Sequence, residues 1–263
     1  MTLTTLLLTN LAVILGCMVL LWLISLPLRN ASIVDIFWGP GFAVVALVTL
    51  LLVEDAGPRQ WLLAAITSAW GLRLGVYLAL RNIGHGEDPR YAAWRQRVTE
   101  AGGHYAIVSL PRVFILQGVL IVFVALPVQA GQLAPGGDAL GPLAYLGALV
   151  WLTGFLFEAV GDWQLRRFKA NPANKGQVMD RGLWRYTRHP NYFGNACLWW
   201  GIWLVACDGP GTWWTLVGPL LMTFFLLKVS GVSLLEKSLV DTKPGYADYI
   251  RRTSAFLPRP PKD

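Results

Sequence analysis

Arg185, Arg188 and His189 stand within five residues of one another, just ahead of Pro190, Asn191 and Tyr192. Pro190 suits the first turn of a helix, because its missing N–H would be unpaired there anyway. A helix start offers free backbone N–H groups and the positive end of the helix dipole, so it attracts anions. With two guanidinium groups and an imidazole beside it, the chemistry on offer is recognition of phosphate or carboxylate. Basic residues next to an apolar span also meet anionic lipid. Interleaving with Trp184, Tyr186, Asn191 and Tyr192 favours a ligand site.

Other ionisable residues fall inside apolar stretches, where each is a functional candidate by default. Asp35 opens the run Asp35-Ile36-Phe37-Trp38-Gly39; the bland alternative is an interfacial acid or a helix cap. Arg73 sits mid-stretch with Tyr77 one turn later on the same helix face; its alternative is an interhelical salt bridge, for instance to Asp35. Glu158 and Asp162 repeat the four-residue spacing and lead into Arg166 and Lys169. The segment Arg81 to Arg95 mixes both charge signs with aromatics and reads as either a solvated linker helix or a lid. Cys17, Cys197 and Cys207 and the three histidines are scattered, with no ligand spacing for a metal. Gly39-Pro40-Gly41 and Gly209-Pro210-Gly211 lack the third glycine of a dinucleotide fingerprint.

The elements that must position these groups are membrane helices. Of the 263 residues 55% are hydrophobic and only 14% charged, where a soluble domain carries about 25% charged. Crossing a ~30 Å hydrocarbon core takes about 20 apolar residues. Seven windows are read as spans, the fourth and sixth of them short: Leu3–Pro27, Ile33–Val53, Trp61–Leu80, Val113–Val128, Leu143–Trp163, Tyr192–Ala206 and Trp213–Ser233. Alternating them puts 19 of the 22 Lys and Arg on one side; Arg59 falls on the other, Arg73 inside a span and Lys228 near the inner end of the last. That asymmetry places the N-terminus outside and the C-terminus in the cytosol. It also accounts for the net charge of +7 without nucleic acid. The expectation is an all-α integral membrane protein, one multi-pass domain over residues 1–263. The loops Glu54–Gln60, Ala130–Pro142 and Cys207–Thr212 are short turns on the outer side.

Gly182-Leu183-Trp184-x-Tyr186, Asn191-Tyr192-x-Gly194, Arg73-x-x-x-Tyr77 and Asp162-x-x-Leu165-Arg166 together resemble the steroid 5α-reductase superfamily. The likeness is to its bacterial branch of uncharacterised membrane proteins, and it is strongest over residues 157–258. The resemblance implies seven transmembrane helices and an NADPH site on the cytosolic side. The reaction it implies is reduction of a carbon–carbon double bond conjugated to a carbonyl. By motif match, Arg73, Tyr77, Asp162, Arg166, Lys169, Asn191 and Tyr192 would line the cofactor site. Arg81, Arg185, Tyr186, Arg188, His189 and Asn195 stand beside them as cofactor candidates. Basic groups near the phosphates favour NADPH over NADH. Asp35, kept neutral by burial, is the expected acid on the substrate carbonyl, assisted by a tyrosine such as Tyr77.

Three positions depart from that family. Trp70 stands where its catalytic Tyr falls, Asn195 where a Glu follows the Asn-aromatic-x-Gly motif, and only Asp35 answers to the catalytic Glu of the second helix. The substrate is therefore read more broadly, as a hydrophobic, lipid-like small molecule. Arg188-His189-Pro190-x-Tyr192-x-Gly194 is also the signature of membrane methyltransferases that use S-adenosylmethionine. Those carry paired acids in the last helix, where this chain has Glu236-Lys237. A third reading is a lipid-binding protein without catalysis. The setting is the inner membrane in a bacterium or the endoplasmic reticulum in a eukaryote.

Overall fold

The computed structural model describes residues 1–229, 236, 239–240 and 242–262. Among the described residues there are helices and no strand. Three long helices open the chain: α1 (Leu3–Leu28), α2 (Ile33–Leu52) and α3 (Pro58–Asn82). The short α4 (Pro89–Glu100) is followed by α5 (Tyr105–Val124) and α6 (Leu126–Leu133). Then come α7 (Pro142–Ala170), α8 (Pro190–Cys207), α9 (Trp213–Val229) and α10 (Tyr246–Arg252).

Helices α1, α2, α3, α5 and α7 are long and apolar enough to cross a membrane, which makes the chain a membrane protein. Helix α8 covers the expected sixth span, and α9 is apolar but shorter. Residues 230–233, the end of the expected seventh span, and Lys237 lie outside the described residues. The fourth span differs from expectation. The expected span starts at Val113; a proline such as Pro111 normally ends or kinks a helix by removing a donor and crowding the preceding turn. Instead the helix begins at Tyr105 and passes Pro111 through a π-helical stretch, Leu110–Ile115. The widened turn takes up the ring. The break comes later, at Ala125 ahead of Pro127, where Gln129 Nε2 donates to the Val122 carbonyl (2.8 Å).

The helices gather into two compact units: Met1–Gly141 with Ala206–Thr215, and Pro142–Val205 with Leu216–Asp263. In the first unit α2 and α3 touch backbone to backbone. A Cβ on Gly39 would strike the Gly71 carbonyl, and one on Gly75 would strike the Pro40 ring. Buried polar groups join the remaining helices. Asn10 donates to Thr49 Oγ1 (2.8 Å) and to Gln129 Oε1 (3.0 Å). Arg59, 5% exposed, donates to the carbonyls of Gly131, Ala134 and Pro135. It thus caps the end of α6, where helix carbonyls otherwise lack partners.

In the second unit Gly147, Gly154 and Gly161 recur every seven residues on α7 and meet Gly201, Gly194 and Pro190 of α8 in antiparallel order. Side chains there would collide with the facing backbone, so small residues let the two helices approach closely. The tail is bound to the loop ahead of α8. Arg188 N donates to Ser254 O (2.9 Å), Arg259 N to Tyr186 O (2.9 Å), and the Tyr249 hydroxyl to Trp184 O.

Candidate functional site

In the first unit the polar cluster forms around the start of α2. The loop after α3 turns through Gly84 (φ 86°) and Gly86 (φ 79°), left-handed positions that favour glycine. Glu87 fastens that loop. It accepts from Ala31 N (2.8 Å) and from Arg95 Nε and Nη2 (2.9 and 2.8 Å), while Asp88 N donates to Ser32 Oγ (3.2 Å). Asp88 also caps α4 through Arg90 N (2.9 Å). The mixed-charge segment is thus a short helix latched to the α1–α2 connection.

This latch sets α4 over Asp35. The Tyr91 hydroxyl donates to Asp35 Oδ1 (2.7 Å) and accepts from Gln117 Nε2 of α5 (3.2 Å). Arg90 Nη2 donates to Asp35 Oδ2 (3.1 Å). Burial, and then the Asp35 charge, push the Tyr91 phenol far above its usual range, so it keeps its proton. Asp35 is an acceptor at both oxygens, from Tyr91 at one and from Arg90 at the other. Tyr91, which keeps its proton, stands beside Asp35 as a second candidate acid. Tyr77 does not make this contact. Its ring lies between the guanidinium carbons of Arg73 (6.0 Å) and Arg81 (5.9 Å), and Arg81 Nε donates to Asn82 Oδ1 (3.0 Å). Asp35 pairs with Arg90 and not with Arg73.

In the second unit Asp162 and Asn191 meet, Asn191 Nδ2 donating to Asp162 Oδ1 (3.1 Å). Asp162 and Glu158 are both buried. The His189 ring stacks on Tyr192 at 5.4 Å and 10°. One turn further on, the Asn195 side chain is buried and its Oδ1 has no hydrogen-bond partner among the described residues. A buried acceptor without a donor carries a desolvation cost that a ligand N–H or O–H would remove. Arg166 and Lys169 are exposed near the end of α7.

Arg188 and His189 do something other than expected. Arg188 Nε and Nη2 donate to the two oxygens of Glu236 (2.7 and 3.1 Å), and Nη1 donates to the carbonyls of Ile250 (3.1 Å) and Thr253. His189 Nε2 lies 3.2 Å from Glu236 Oε1. Burial raises the Glu236 carboxyl, but the hydrogen bonds from His189 and Arg188 outweigh it and hold the group at about 2. Arg188 is thus a fold-holding staple, and an anion would have to be met by other cations. Arg185 supplies one, lining a cleft with Arg181, Arg252 and Lys262; Tyr186 is exposed beside it.

Sequence reasoning missed Tyr91 and Gln117 as partners of Asp35, and Glu236 as the partner of Arg188. Tyr91 lies 56 positions from Asp35 and Glu236 48 from Arg188. The one local signal was an unmatched glutamate beyond the last apolar stretch.

Fold and site together define a multi-helix membrane protein with a separate polar cluster in each unit. Over residues 21–253 the chain matches the family described as "Protein of unknown function (DUF1295)", and it belongs to that family. It is 25% identical over 266 residues to "Uncharacterized protein C594.04c" of Schizosaccharomyces pombe, covering 91% of this chain and 76% of that one. It is also 31% identical over 87 residues to "Probable O-methyltransferase ustE" of Ustilaginoidea virens, covering 33% of this chain and 31% of that protein. No solved structure matches significantly.

Proposed function

We propose that the protein is an NADPH-dependent reductase of a carbon–carbon double bond conjugated to a carbonyl in a lipid-like substrate. In this reading it has seven spans, an outer N-terminus and a cytosolic C-terminus, as the charge asymmetry favours. The observation that carries the proposal is the Asp35–Tyr91–Gln117 chain, a phenol held by a carboxylate and an amide at 2.7 and 3.2 Å. Methyl transfer to an oxygen has no need of such a donor; reduction of an enone does.

The residues present fit the cofactor. Asn195 offers a buried acceptor that lacks a donor, Asn191 and Asp162 offer an amide and a carboxylate, and Arg166 and Lys169 offer charge. With Tyr192 these residues of the second unit would hold NADPH, whose chemistry is hydride supply to an enone β-carbon. In the first unit Tyr91 is the candidate donor to a carbonyl oxygen: its one O–H, given to Asp35 in this structure, would turn to that oxygen while Gln117 keeps its hydrogen bond to the phenol. A proton from solvent water would complete the reduction at the α-carbon.

The O-methyltransferase similarity supports a second reading, an S-adenosylmethionine-dependent membrane methyltransferase. Binding of NADPH and of S-adenosylmethionine to the purified chain in detergent separates the two. The expected result is saturable NADPH binding with none for S-adenosylmethionine. The reverse result would sink the reductase, and binding of neither would leave the lipid-binding protein as the surviving reading.

A further inference from the structure

The positive charge of the second unit divides into spent and unspent groups. Arg188 is saturated by Glu236 and two carbonyls, while Arg251 and Arg252 share Asp248. Arg181, Arg185 and Lys262 have no side-chain partner among the described residues. Together with Asp180, Arg252 and Thr253 these three line a cleft of about 520 Å³.

Their convergence is built by the backbone. At Gly182 (φ 60°) the space a Cβ would need is filled by the Gln164 side chain. Leu183 N donates to Gln164 Oε1 (3.0 Å) and Trp184 Nε1 to Gly161 O (3.1 Å), which pins the turn carrying Arg181 and Arg185 to α7. From the other side, Lys262 N donates to Arg252 O (2.8 Å) and folds the tail back over the cleft. Free surface cations would spread apart to reduce repulsion; here two fixed chain segments hold them facing one space.

We propose that this cleft binds the phosphate group of a phosphate monoester. Three unpaired cations against the single carboxylate of Asp180 leave a surplus of about two positive charges, and a monoester carries about −1.5 to −2 at neutral pH. Arginine forks match phosphate oxygens in geometry as well as charge. The volume lies within the range of about 300–1,000 Å³ usual for small-ligand sites, which leaves room for the group that bears the phosphate. Asp180 adds an acceptor, suited to a hydroxyl on that group. The same chemistry is presented by a soluble sugar or polyol phosphate and by a phosphatidic acid headgroup.

The test uses the full chain without nucleotide, so its result stands whichever nucleotide the protein binds. Glycerol 3-phosphate is titrated calorimetrically in detergent. Retention of phosphatidic acid is read by native mass spectrometry from phosphatidylcholine nanodiscs with and without that lipid. Binding of either probe is expected, weakened tenfold or more by the double substitution Arg181→Ala and Arg185→Ala. These side chains are exposed, so the unfolding temperature should not move. If it does, Lys262→Ala, on the opposite wall, is expected to weaken the same probe. Glycerol 3-phosphate binding alone identifies a soluble ligand, phosphatidic acid retention alone a lipid, and both a shared headgroup site. Binding of neither probe, or binding that all these variants retain in full, would overturn the proposal.

Discussion

Glu236→Gln tests the staple that holds the second unit's tail. The Glu236 carboxyl sits at about 2, down from 4.5, because the His189 and Arg188 hydrogen bonds overcome the opposing effect of burial. Through linkage that depression corresponds to about 3 kcal/mol at neutral pH. The side chain is 18% exposed, so solvent screening trims this to about 2–3 kcal/mol. Because the folded value is depressed, the stabilisation is complete above the ordinary value and is lost as pH falls from about 4.5 to about 2. The glutamine also leaves the Arg188 guanidinium, 7% exposed, without its counter-charge. Breaking a buried pair from one side costs about 3–5 kcal/mol. Arg188 keeps two carbonyl partners, so the lower end applies. The assay is equilibrium unfolding in detergent followed by tryptophan fluorescence, at neutral pH and near pH 3, with Arg188→Met and the double variant completing the cycle. We expect a loss of about 3 kcal/mol at neutral pH, a loss that shrinks in acid, and a double variant less destabilised than the two singles added together. A Glu236→Gln chain within about 0.5 kcal/mol of the native one at neutral pH would refute the staple.

Two further changes probe other parts of the molecule. Tyr91→Phe removes the phenol that donates to Asp35 and should lower the rate of enone reduction by about 10²–10⁴-fold, with NADPH affinity unchanged in a direct titration; an undiminished rate would remove Tyr91 from the mechanism. Gly194→Ala places a Cβ against the Glu158 and Gly154 backbone and should cost about 1–3 kcal/mol or more, read as a lower unfolding temperature; an unchanged temperature would contradict the close α7–α8 crossing.

What sequence made legible were the properties carried by local pattern. Apolar runs longer than a bilayer core located α1, α2, α3 and α7, because length and composition suffice for that. The start of α5 lies ahead of the expected Val113, since a π-helical turn carries the chain past Pro111. The Asp162–Asn191 contact joins two residues that sequence marks only as members of separate motif blocks. The heptad glycines of α7 and α8 were visible as residues, but which helix they faced was not.

Charge was legible in amount and not in assignment. Arg185 and Arg188 are three positions apart and look equivalent as anion ligands. One is saturated by a carboxylate 48 residues downstream and two carbonyls of the tail, and the other is left to a cleft. Likewise Asp35 reads as an isolated acid until a loop turned by two left-handed glycines brings Arg90 and Tyr91 onto it from 55 and 56 positions away. An acid that looks isolated in sequence gains an arginine and a phenol as partners. A buried arginine that gains a glutamate ceases to be a receptor for anions and becomes part of the scaffold. In both units the chemistry is decided by which partner the fold supplies, and that is a property of contacts some fifty residues apart rather than of any motif. The exposed cations with no partner are therefore where a search for this protein's anionic ligand should begin.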